Sequence, residues 1–93
     1  MIKNEQLKFI EGIFLPEEAK EILTNVFLAK INFHQMKNFS SQERFGKDDA
    51  IAIKRITALK SEIVKLEKLL LSAKNKNKKL IVNSEINISF SDD

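Results

Sequence analysis

Apolar residues recur in alternating steps of four and three at Ala52, Ile56, Leu59, Ile63, Leu66, Leu70 and Ala73. That spacing keeps all seven on one side of an α-helix. The stretch holding them, Asp48 to Lys79, would span about 48 Å if helical throughout. In a chain of 93 residues, everything else must pack against a rod of that length.

The segments around it have different periods. Leu7 and Phe9 alternate with Gln6 and Lys8, which predicts a strand over about 6–10. Glu11-Gly12 then reads as a bend or bulge before a second extended piece, since glycine tolerates backbone angles that other residues avoid. Pro16 suits the first position of a helix, and Glu17, Glu18 and Glu21 favour its positive end. Leu15 supplies no side-chain cap. Ala19, Ile22, Leu23, Val26, Phe27 and Ile31 form an apolar stripe at helical spacing, so a first helix is predicted over 16–37.

Residues 38–47 break the pattern. Ser40 and Glu43 fit a capping box for one short helical turn, Gly46 fits a left-handed stop, and Asp48 or Asp49 fits the cap of the next helix. Phe39 and Phe45 are expected to tuck under this connection, with Arg44 paired to Glu43 or Asp48. Lys74 to Lys79, with two asparagines, marks fraying or termination of the long helix. Leu80 to Phe90 is β-branched and alternating, with a bulge or turn expected at Asn83-Ser84. Ser91-Asp92-Asp93 reads as a solvated tail.

The order is therefore β-α-α-β: an α+β fold and a single domain over 1–93. An antiparallel two-helix hairpin returns the chain to its start, so short terminal strands can pair antiparallel. A parallel coiled-coil dimer through the seven-residue seam is disfavoured, because it would set Arg55 against Lys60 and Glu62 against Glu67. The seam is expected to face the first helix of the same chain. Val64, Leu69 and Leu71 lie off it and call for a cover, by the strands or by another subunit. On these boundaries the long helix outruns the first by roughly 10 residues, and the overhang needs a partner. A homo-oligomer, with a dimer favoured, is the expectation, joined through the overhang, the second apolar face or a strand edge.

Composition narrows the function classes. The chain has no cysteine, so neither disulfides nor thiolate metal sites arise. Its two glycines cannot build a phosphate cradle. The acidic pairs at 17–18 and 48–49 are explained as helix starts, and no cofactor or metal is expected. The one histidine, His34, reads as a residue near a helix end that hydrogen-bonds a free carbonyl. Lys3, Glu5, Lys8 and Glu11 interrupt any signal-like apolar run, and no stretch is long enough to span a bilayer. A cytoplasmic protein is expected.

Net charge is +3. Nine Lys/Arg and four Asp/Glu between Asp48 and Lys79 put +5 there and −2 elsewhere. Two function classes follow. The first is a non-enzymatic protein–protein interaction or assembly module, with Val64, Leu69, Leu71, Phe39, Arg44 and Phe45 as its candidate surface and a second copy or another protein as partner. The second is a nucleic-acid-binding accessory protein using Arg44, Lys54, Arg55, Lys74, Lys76, Lys78 and Lys79. The helical repeat itself is common to many unrelated coiled coils and carries no function.

Overall fold

A computed structural model describes residues 4–92. Strand β1 (Asn4–Phe14) leads into helix α1 (Pro16–Phe45), which turns back through α2 (Ala50–Asn75) into strand β2 (Leu80–Ser89). The two strands pair antiparallel as a two-stranded ribbon, and the helices pack along each other. This is the expected β-α-α-β arrangement. Asp93 of the predicted tail lies outside the described residues.

The seam of α2 behaves as its spacing requires. Ala52, Leu59, Leu66 and Leu70 are buried, Ile56, Ile63 and Ala73 are half-buried, and every other α2 position is exposed. On α1 the facing line runs through Ala19, Leu23, Val26, Phe27 and Ile31, while Ile22 stands at the flank. The tightest point is Ala19, 1% exposed, against Leu66 and Leu70. Phe14, Leu23, Phe27 and Leu80 complete this cluster, which joins the root of the ribbon to the open end of the helix pair.

Three boundaries differ from the sequence reading. Helix α1 does not stop at 37 but runs unbroken to Phe45, absorbing the turn expected at Ser40. It has 30 residues against 26 in α2, so α2 has no overhang. The reason is tertiary: His34, Asn38 and Ser41 continue the inward line of α1 and are partly buried beside α2. Second, β1 is one strand to Phe14, and its irregularity lies at Phe9, not at Glu11-Gly12. Lys8 faces Glu85 and Ile10 faces Ser84, leaving Phe9 as the extra residue. Leu7 and Ile10 are an odd number of positions apart, and the bulge returns both to one face. Third, β2 is continuous through Asn83-Ser84.

The ends are defined by local chemistry. Leu15 offers no acceptor, but the Glu18 carboxylate reaches back and accepts from the Leu15 N–H at 2.9 Å, the reciprocal half of a capping box. Gly46 closes α1 in the left-handed region (φ 67°), its N–H donating to Gln42 O at 2.9 Å. Asp49, not Asp48, caps α2 by accepting from Ala52 N–H at 3.0 Å. At the far end Lys78 N–H donates to Ala73 O (2.9 Å) and Asn77 N–H to Lys74 O (3.2 Å). With Asn77 at φ 56° this is a Schellman stop, so the helix ends sharply. Replacing Asn77 by glycine removes the Cβ from a left-handed position. The left-handed penalty of about 1–2 kcal/mol less glycine's entropy cost of about 0.5–1 kcal/mol leaves an expected gain of about 0.5 kcal/mol, read as a raised melting temperature with an unchanged helical signal.

The ribbon meets the helices sparsely, with Phe14 and Leu80 packed against them at its base. The molecule measures 50 × 38 × 15 Å, with a radius of gyration of 16.9 Å, against about 12 Å for a compact chain of this length. It is a flat L, with the hairpin as one arm and the ribbon as the other.

Candidate functional site

The turn between the helices is fastened by polar groups. Asn38 Oδ1 accepts from the Asp49 N–H at 2.7 Å, and Ser41 Oγ donates to Lys47 O at 2.9 Å. The Asp48 carboxylate accepts from Gln42 Nε2 at 2.7 Å and from Asn38 Nδ2 at 3.4 Å. These contacts overturn the expected apolar seal. Phe39 and Phe45 stand in solvent, Phe45 at 70% exposure. Arg44 makes no ion pair with Glu43 or Asp48; the amides of Gln42 and Asn38 meet Asp48 Oδ1 instead. The polar residues that read as loop are the ones that tie α1 to the start of α2.

His34 is not near a helix end, since α1 continues eleven residues beyond it. It sits on the inter-helix line, with its ring 5.2 Å from that of Phe33 in an edge-on arrangement. Lys37 Nζ lies 5.5 Å from the Phe33 ring centre, shielding an otherwise exposed aromatic face. No group of three or more His, Asp or Glu positioned to hold a metal occurs among the described residues. No helix among them is long and apolar enough to cross a membrane.

The apolar residues off the seam are uncovered, because the strands project away instead of lying over α2. Val64, Leu69 and Leu71 are all more than half exposed, but they do not form one patch. At about 100° per residue, Ile53, Val64 and Leu71 fall on one flank of the seam and Ile51 and Leu69 on the other. Leu71 borders a groove between the helices that Glu17, Lys20 and Glu67 also line. Leu28 and Phe39 follow Glu17 in steps of eleven, three turns each, so they share that broad face with Val64. Both broad faces of the hairpin therefore carry exposed apolar side chains.

The basic residues are also divided. Arg44, Lys54 and Arg55 lie toward the turn, whereas Lys74, Lys76, Lys78 and Lys79 lie at the opposite end, about 30 Å along the helix.

A further apolar surface is one face of the ribbon, to which the alternation of Ile86 and Ile88 with Asn87 and Ser89 already points. The pairs Leu7–Ile86, Gly12–Val82 and Phe14–Leu80, together with Ile10 and Ile88, share it. Lys8–Glu85, Glu11–Asn83 and Gln6–Asn87 point the other way, together with the exposed pair Ile13–Ile81 near the root. The apolar face is covered only at its root. Ile10 is buried and Phe14, Leu80 and Val82 are half-buried, while Leu7, Ile86 and Ile88 toward the tip are 40–49% exposed. At the root Gly12 has φ 152°, an angle that residues with a side chain rarely adopt, while a Cβ there would be in ordinary contact with the Phe14 ring at 3.4 Å, so it is the backbone angle that calls for glycine. The alternation in β2 was the available signal for this face, but how much of it the helices cover depends on the angle of the L.

No protein-family model, curated protein or solved structure matches the chain.

Proposed function

We propose that this protein is a non-catalytic assembly module of the cytoplasm that works by associating with copies of itself, a dimer being the simplest form. The observation behind this reading is surface. The chain exposes 7840 Å², whereas a monomer of 10.7 kDa is expected to expose about 5,500 Å². The excess is well above the roughly 800 Å² per partner of a standard interface. Much of it is apolar, including the ribbon tip and both broad faces of the hairpin. Among the described residues few side chains are buried to offset the entropy lost on ordering the chain, so association would supply the stability that the single chain lacks.

Light scattering at micromolar concentration tests the proposal. The expected mass is twice 10.7 kDa or a higher multiple of it, retained on dilution over the micromolar range. A species of 10.7 kDa alone at every concentration overturns it.

A further inference from the structure

The free edge of β2 differs from that of β1. The β1 edge is interrupted by the bulge at Phe9 and by Gly12 at φ 152°, and it carries Lys8. These are devices that discourage a strand from recruiting another. Strand β2 has none of them. Over Leu80–Ser89 it is regular, with no proline, no glycine, no lysine and one charge, Glu85. It pairs with β1 on one side and with no other strand among the described residues.

Resting on the self-assembly proposed above, we propose that the occupant of this edge is β2 of a second copy. The two strands run antiparallel about a two-fold axis, giving a four-stranded sheet in the order β1-β2-β2-β1. A two-fold axis perpendicular to the sheet keeps the apolar faces of both ribbons on one side. Side-chain chemistry selects the register. With Ser84 opposite Ser84 of the second copy, Val82 meets Ile86 and Leu80 meets Ile88, all on the apolar face, while Glu85 on the polar face meets Asn83. A shift that centres the pair on Glu85 sets two carboxylates directly opposite and costs stability. A one-residue slip turns the apolar set of one copy against the polar set of the other.

The same pairing accounts for the exposed tip. In the Ser84-centred register the root of the second copy's ribbon, at Leu80, lies beside the tip at Ile88. The second copy's helix pair therefore stands over Leu7, Ile86 and Ile88. Each hairpin covers the root of its own ribbon and the tip of the other, closing a two-layer structure that one chain leaves open. Two strands alone are marginal in water, whereas four with one face covered are not.

The absence of cysteine gives a direct test. Ser84→Cys places two thiols on residues about 4.5–5.5 Å apart between Cα atoms, within disulfide reach. Lys8→Cys, on the outer strand, places them at least about 14 Å apart, three strand spacings, and out of reach. Under a mild oxidant the expected result is that most Ser84→Cys chains run at twice the chain mass on a non-reducing gel, and that Lys8→Cys chains do not. Ile86→Lys is expected to bring the solution mass down to 10.7 kDa and to lower the melting temperature, as the stability supplied by association is lost. Should that variant fail to fold, the Ser84→Cys result decides alone. A multimer that leaves Ser84→Cys uncrosslinked overturns the β2 pairing and leaves self-assembly standing. A single-chain mass for the unaltered protein overturns both.

Discussion

Leu66→Ala is expected to lower stability by about 3 kcal/mol, within the 2–5 kcal/mol usual for deleting a buried leucine side chain. Leu66 is buried at the point where α2 meets Ala19, with Phe14 and Leu80 packed against the same cluster. Its removal leaves a void at the junction of the two arms, and the small Ala19 cannot lean in to fill it. For a domain of this size the melting temperature should fall by about 12–24 °C. A thermal melt followed at the helical band checks this. A drop of only a few degrees would mean that the cluster relaxes around the void, and that the junction does not hold the arms.

Ala19→Leu probes the same junction from the opposite direction. At 1% exposure there is no room for three more carbons, and overfilling a packed site costs about 1–3 kcal/mol. The larger residue would push α1 from α2 at the end where the ribbon attaches, so loss of strand signal should accompany the lower melting temperature. Combining it with Leu66→Ala exchanges the large and small partners across one contact. The double variant should be more stable than the sum of the two single losses predicts, by about 0.5–3 kcal/mol. Additive losses would show that the two residues do not share a space.

The fold was largely legible because α2 is so regular. Its seven-residue seam told both that it is a helix and which side is covered, and the like charges at its flanks pointed that side toward α1 of the same chain. What was misread were residues whose chemistry serves tertiary partners. Asn38, Ser41 and Gln42 are ordinary loop formers by local preference, but inside α1 they bond to Lys47, Asp48 and Asp49. Phe39 and Phe45 looked like core by type, yet nothing in the turn is wide enough to cover them. The candidate surface was legible only in part. Val64, Leu69 and Leu71 all lie off the seam, and the helical period of α2 alone sets Leu69 on the flank opposite the other two; what stands beside each flank needs both helices in place. The ribbon face at Leu7, Ile86 and Ile88 needs the bulge at Phe9, which the alternation of β1 does not announce.

The short fastened turn at Gly46–Asp49 also sets an order of events. Contacts between α1 and α2 begin a few residues either side of it and can zip outward, each closing only a small additional loop. The partners Phe14 and Leu80 are brought within reach only when both rods have formed and aligned. The ribbon is therefore expected to be the last element to assemble and the first to open, and until it closes β2 has no strand beside it.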